Sequence, residues 1–164
     1  MPLLDPVEQS QKSPSRVSRR GLIVLGGAGI VTGGAVAAQW YNVLADNNGS
    51  QSLTPAQVHQ AAKDGEVFLV DIRRPDEWAR TGVGEGAAPI DMRRADFIDE
   101  LLRVSGNDRT RPIAVICARG VRSRRMTERL TSAGFKQIID VPEGMLGSGA
   151  GPGWLKRGLP VFKP

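Results

Sequence analysis

The stretch Pro112–Ser123, PIAVICARGVRS, indicates the fold more clearly than any other part of this chain. Its first half, Pro112–Cys117, is an apolar run of the length and composition of a buried strand. The second half is a short loop, and a helix is predicted over Ser123–Ala133, since Met126 and Leu130 share one face there. A loop that joins a buried strand to a helix is where open α/β sheets bind their ligands.

The rest of the domain repeats this alternation of strands and helices. Two further buried strands are predicted at Val67–Asp71 (VFLVD) and Gln137–Val141 (QIIDV), and helices at Ala56–Lys63 and Ile98–Val104. Between them, an irregular loop is predicted at Gly82–Pro89 and a long glycine-rich loop at 142–153. Short apolar strands between helices predict an α/β fold, with a central, mostly parallel sheet and helices on both faces.

The N-terminal part has the layout of an export signal. Arg19-Arg20 ends a polar stretch and precedes an uncharged segment, 21–38, that contains an A-x-A pattern at 35–37. The paired arginines are similar to a bacterial twin-arginine signal, so we expect residues 1–37 to direct the chain through the twin-arginine export machinery to the periplasm. The alternative is an uncleaved membrane anchor facing the periplasm. Residues 38–52 are predicted to be a linker, and 53–162 the folded domain.

Composition excludes several kinds of site. The chain has one cysteine, so it forms no internal disulfide and no all-cysteine metal site. Its single histidine, His59, lies in no motif, and we predict an ordinary surface or packing role for it. The net charge is +5, and the few aromatic residues do not alternate with basic ones, so we expect no nucleic-acid partner.

The single cysteine occupies a position that favours reactivity. Cys117 follows the strand, and the start of the next helix directs backbone N–H groups and the positive end of its dipole toward the loop. Arg119 and Arg122 add positive charge, and such a field stabilises a thiolate. The competing interpretation is an inert, buried structural cysteine, but the position at a strand end, close to two arginines, argues against it.

Four segments together resemble a known family. Cys117–Ser123 has the form C-x-x-G-x-R-S. The flanking segments are Thr54–Ala62, Val70–Arg73 with Glu77-Trp78, and Gly153-Trp154 with Gly158–Val161. Taken in their order along the chain, the four segments resemble the rhodanese-like domain over residues 53–162. The resemblance implies the α/β fold described above.

The resemblance also implies a mechanism and a set of site residues. Cys117 would take sulfur as a persulfide from a small anionic sulfur donor such as thiosulfate, and a thiol or cyanide acceptor would remove it. No cofactor is implied, and a reducing partner or acceptor thiol would have to regenerate the cysteine in an oxidising compartment. The residues implied to bind substrate are Ala118, Arg119, Gly120, Val121, Arg122 and Ser123, and those implied to brace the loop are Asp71, Arg73 and Glu77.

Two alternatives remain open from the sequence. Related phosphatases and arsenate reductases resemble C-x5-R, whereas Cys117–Arg122 is C-x4-R, a tighter loop that suits a single sulfur atom. Non-catalytic binding modules of the family commonly lack the cysteine, which this chain retains.

The histidine usual in the family is absent from 81–91. Arg124 and Arg125 are predicted to be solvated.

Overall fold

The computed structural model describes residues 51–164. The predicted export signal and residues 38–50 of the predicted linker lie outside the described residues, whereas Gln51–Ser52, the end of that linker, forms a strand. The elements in chain order are β1 (Gln51–Ser52), α1 (Pro55–Lys63), β2 (Phe68–Asp71), α2 (Pro75–Thr81), β3 (Val83–Gly84), β4 (Ala87–Pro89), α3 (Phe97–Ser105), β5 (Ile113–Ile116), α4 (Val121–Ser132), β6 (Ile138–Asp140), α5 (Gly153–Lys156) and β7 (Val161–Phe162).

The central sheet confirms the predicted α/β class. It has five strands in the order β1-β6-β5-β2-β4, and every neighbouring pair is parallel. A separate two-stranded antiparallel ribbon joins β3 to β7. Because β5 is the middle strand, its carboxyl end lies between the carboxyl ends of β6 and β2, and the loop after β5 can be reached from both.

The two faces of the sheet are buried beneath different helices. One face presents Val70, Ile113, Val115 and Cys117, which form a continuous core with apolar side chains of α3 and α4. Alternation along the strands turns Leu69 and its equivalents to the opposite face, where α1 contacts β2. Burial on both faces explains why β2 and β5 are continuous apolar runs in the sequence.

Helix α4 begins two residues earlier than predicted. The expected start at Ser123 is wrong, since the helix runs over Val121–Ser132. Gly120 precedes it with a φ of 83°, in the left-handed region, and a Cβ there would collide with the carbonyl oxygen of Pro142. Glycine therefore lets the chain reverse sharply, and helical geometry follows at the next residue.

The prediction of an irregular loop at Gly82–Pro89 is also wrong. This segment contains β3 and β4, and β4 pairs with β2 along one edge of the sheet. Its glycine and alanine residues show no apolar run, so the sequence gives no local signal of strand formation.

In residues 51–164, no helix has both the length and the apolar character that are needed to cross a membrane.

Candidate active site

Cys117 lies directly after β5, at the carboxyl edge of the central sheet. Only 1% of the residue is exposed, and its side chain belongs to the core face beneath α4. The backbone from Ala118 to Gly120 then curves into the first turn of α4. The N–H groups of that first turn have no partner on an earlier helical turn, so they are available to an anion at the cysteine.

The glycine-rich segment after β6 packs against the cysteine loop and is hydrogen-bonded to its backbone. The N–H of Met145 donates to the carbonyl of Cys117, and that of Leu146 donates to the carbonyl of Ala118, both at 2.9 Å. Gly144, with a φ of 68°, packs so closely that a Cβ would approach the Ala118 backbone to 2.6 Å. The predicted long loop at 142–153 is therefore a close backbone support for the cysteine loop.

The Ser123 hydroxyl is a hydrogen-bond partner of the Cys117 thiol. The Cys117 Sγ lies 3.6 Å from Ser123 Oγ and donates to it, and the Ser123 hydroxyl donates in turn to the carbonyl of Gly120 at 3.0 Å. Ser123 is fully buried in the first turn of α4. The structure thus brings together the first and last residues of the predicted loop.

Arg122 is held by a carboxylate from a distant part of the sequence. Its Nη1 and Nη2 donate to the two oxygens of Glu77 at 2.7 and 2.6 Å, so that the guanidinium and carboxylate face each other in a two-point contact. The Arg122 guanidinium lowers the pKa of Glu77 from 4.5 to about 2. The pKa of Arg122 is raised, chiefly by Glu77 and to a lesser extent by the sulfur of Cys117. The Arg122 guanidinium is therefore held by Glu77, and Cys117 is a lesser influence on its pKa.

Asp71 and Arg73 form a second ion pair that is completely buried. Arg73 Nε lies 2.9 Å from Asp71 Oδ1, and Nη2 lies 2.7 Å from Oδ2. The same guanidinium donates to the Thr81 hydroxyl and to the Gly82 carbonyl at the end of α2. Because Glu77 is on α2, this pair fixes the helix that supplies the partner of Arg122. Its contact with the cysteine loop is indirect.

Arg119 and Arg124 are exposed and line a cleft of about 320 Å³ beside the cysteine loop. The other lining residues are Ser52, Gly120, Val121, Asp140 and Pro142. Arg119 is thus accessible to an anion from solvent, as the sequence predicts for a donor-binding residue. Arg124 is exposed as predicted, but it faces a cleft rather than an open helix surface.

Sequence reasoning missed two buried carboxylates near the site. Asp140 ends β6 and is 6% exposed, and Glu143 is paired with Arg157 at 2.6 Å and accepts the N–H of Gly153. A polar residue at the end of the apolar run QIID could have indicated Asp140. No local signal indicates the Glu143–Arg157 pair.

His59 contacts Glu85 and the edge of the Trp154 ring, so its role in the structure is packing.

The Glu77–Arg122 pair gives an expected dependence of stability on pH. The pKa of Glu77 is lower in the folded chain than its usual 4.5, so the pair stabilises the fold above pH 4.5 and loses this effect as the pH falls through about 2. Replacing Glu77 with glutamine should reduce the free energy of unfolding by up to about 3 kcal/mol at pH 7. The difference from wild type should shrink progressively between about pH 4 and pH 2. Urea unfolding of both full-length proteins at several pH values measures this.

Asp76 provides a matched control for that measurement. It lies on the same helix, and its partners Arg74 and Arg80 are exposed. Because water screens exposed ion pairs, the free energy of unfolding of the Asp76→Asn variant should stay close to that of wild type. Equal losses in both variants would contradict a special role for the Glu77–Arg122 pair.

Comparison with known proteins identifies the fold family. A model of the Rhodanese-like domain matches residues 54–147. The thiosulfate sulfurtransferase GlpE of Actinobacillus pleuropneumoniae is 27% identical over 109 residues, which cover 66% of this chain and 90% of that relative. The tRNA uridine(34) hydroxylase of Chlamydia abortus is 26% identical over 121 residues, 71% of this chain. The match spans only 37% of the hydroxylase.

A solved structure agrees with this result. The solution structure of the 30 kDa polysulfide-sulfur transferase homodimer from Wolinella succinogenes matches with a TM-score of 0.54 at 26% identity. The match covers 79% of this chain and 88% of that one.

Proposed function

Because the chain belongs to the rhodanese-like domain family, we propose that it is a sulfurtransferase that holds sulfur as a persulfide on Cys117. The observation that supports this most directly is the placement of the only cysteine. It lies at the carboxyl end of the central strand, under the first turn of α4 and close to Arg122. This arrangement stabilises an anionic sulfur and leaves no role for a histidine base.

The first half-reaction loads the cysteine. A thiosulfate dianion is attracted by Arg119, which is exposed at the mouth of the loop. The Cys117 thiolate attacks the outer sulfur, a new S–S bond forms, and the S–S bond of thiosulfate breaks, so that sulfite leaves with the electron pair. The N–H groups from Ala118 to Ser123 surround the terminal sulfur of the persulfide and stabilise its negative charge.

The second half-reaction discharges the cysteine. An acceptor thiolate, or cyanide, attacks the terminal sulfur, and the Cys117 thiolate leaves with the electrons of the persulfide bond. Arg122 stays paired with Glu77 through both steps and keeps its positive charge next to the inner sulfur. The cycle therefore needs only the chain itself, a sulfur donor and a nucleophilic acceptor.

Intact-mass spectrometry tests the persulfide. The full-length protein, reduced and then incubated with thiosulfate, should gain the mass of one sulfur atom, and cyanide should remove it. Peptide mapping should place the added sulfur on the peptide that contains Cys117, because the chain has no other cysteine. A free thiol with no gain from thiosulfate, polysulfide or any other sulfane donor would contradict the proposal and favour a phosphatase or a non-catalytic binding module.

We propose in addition that the protein acts in the periplasm after export through the twin-arginine machinery. The support is the sequence of residues 1–37 with its paired arginines. In such an oxidising compartment the single cysteine needs an acceptor thiol or a reducing partner, since the chain has no second cysteine to resolve a mixed disulfide. Cell fractionation of the full chain beside a variant with lysines at positions 19 and 20 tests the export, and an unchanged location would reject it.

A further inference from the structure

Three arginines near the start of α4 differ from the other arginines of residues 51–164. The others are ion-paired with a carboxylate or lie over a phenylalanine ring. Arg119, Arg124 and Arg125 have neither kind of partner within the described part of the chain, and all three are exposed. Unpaired guanidinium groups beside a reactive cysteine are available to an anion, and they bind carboxylate oxygens in two-point contacts.

Two of these three arginines line a cleft that is large enough for a small organic molecule. Arg119 and Arg124 line the cleft of about 320 Å³ beside the cysteine loop, whereas Arg125 is not among its lining residues. Pockets for small organic ligands begin at about 300 Å³. A compact ion such as thiosulfate would leave most of this space empty. In a double-displacement cycle, the cleft therefore suits the second substrate, the sulfur acceptor, better than the donor.

The cleft shares a wall with the place of sulfur transfer. Gly120 lines the cleft, and its carbonyl accepts the Ser123 hydroxyl at 3.0 Å. The Ser123 oxygen lies 3.6 Å from the Cys117 sulfur, so two short contacts lead from the cleft wall to the thiol. Val121 also lines the cleft and is 63% exposed, which leaves the cleft open to solvent on this side. A ligand in the cleft therefore lies against the loop that holds the persulfide.

Asp140 adds a different kind of polar group to the same cleft. It lines the cleft and is 6% exposed, and its Oδ1 has no hydrogen-bond partner among the described residues. A buried polar atom without a partner costs free energy, which a ligand with an N–H group offsets. The carboxyl group also disfavours a ligand that is only an anion. Together with Arg119 and Arg124, it selects a ligand that carries both carboxylate and N–H groups.

We propose that this cleft binds the sulfur acceptor, and that the acceptor is a small peptide-like thiol with carboxylate and N–H groups. Arg119 and Arg124 bind its carboxylates, and Asp140 accepts its N–H. Its thiolate attacks the terminal sulfur of the Cys117 persulfide and a new S–S bond forms. The S–S bond of the persulfide breaks, and Cys117 leaves as a thiolate with the electron pair. This inference rests on the proposed function of the same site.

The discharge of preloaded full-length protein tests the choice of acceptor. Glutathione, a peptide thiol with carboxylate, ammonium and amide groups, is compared with 2-mercaptoethanol, a neutral thiol, and intact mass follows the loss of the added sulfur. Arg124→Gln should lower the second-order rate constant for glutathione by about five-fold at low ionic strength, and that for 2-mercaptoethanol by less than about two-fold. Arg125→Gln removes the same charge from the next residue, outside the cleft, and should leave both rate constants within about two-fold of wild type.

A binding titration locates the site without sulfur transfer. S-methylglutathione, which has no thiol, is added to the reduced full-length protein and should shift the NMR signals of the Ser52, Gly120 and Val121 amides. Arg124→Gln should weaken this binding, and Arg125→Gln should not. Equal effects of the two variants, equal effects on the two thiols, or no shift at these amides would overturn the proposal. The titration needs no persulfide, so a failure of the proposed function would show separately, as a protein that binds the analogue but gains no sulfur.

Discussion

Replacing Cys117 with serine is expected to lower sulfur transfer by at least about 10³-fold and to abolish the mass gain from thiosulfate. A serine hydroxyl is a poor nucleophile unless a base removes its proton. The one histidine of the chain, His59, contacts Glu85 and Trp154, and no hydrogen bond in the described part of the chain joins it to Cys117. A steady-state assay with thiosulfate and cyanide measures the loss.

The fold of this variant should survive, which makes the loss of activity interpretable. The Cys117 side chain is buried beside the Ser123 hydroxyl, so a serine at 117 has a hydrogen-bond partner within reach. Urea unfolding should show a change of no more than about 1–2 kcal/mol. A well-folded Cys117→Ser variant that still transferred sulfur at a tenth of the wild-type rate would contradict a persulfide on this residue.

The amount of structure that the sequence predicts depends on whether the signal is local. Strands β2, β5 and β6 are found where the apolar runs predict them, because burial on both faces leaves a continuous pattern. Helix α1 also lies where a helix is predicted, and Thr54 and Gln57 form a capping box at its start, within four residues of sequence. Strands β3 and β4 are not predicted, because their small residues form no apolar pattern. These strands form through pairing with β7 and β2, which are distant in the sequence.

The candidate site divides in the same way. The order of residues around Cys117 is a local motif that the sequence shows directly, whereas the 3.6 Å contact between the Cys117 sulfur and the Ser123 hydroxyl is seen only in the structure. The pairing of Arg122 with Glu77 joins residues 45 positions apart, and only the packing of α2 against the loop brings them together. Whether Arg122 also contacts the donor stays a prediction. Its guanidinium is already held by the Glu77 carboxylate, which raises the pKa of Arg122.

The second large effect is expected at Arg73, in the buried pair that fixes α2. Replacing Arg73 with methionine removes the positive charge and leaves the Asp71 carboxylate fully buried without its partner. Breaking a buried ion pair in this way costs about 3–5 kcal/mol, a large part of the stability of a domain of this size. The Thr81 hydroxyl and the Gly82 carbonyl lose a donor at the same time. Urea unfolding of the full-length protein measures the cost.

The reason for expecting this size of effect lies in desolvation. The exposed pair Arg80–Asp76 is on the same helix, and water replaces the lost interaction when Arg80 is changed to glutamine, so the stability should hardly change. At Arg73 no water can reach Asp71, which is completely buried. A double variant with leucine at 71 and methionine at 73 should recover part of the loss, because it removes the uncompensated charge. If the Arg73 variant lost no more stability than the Arg80 variant, the buried pair would not be what holds α2, and with it Glu77, against the cysteine loop.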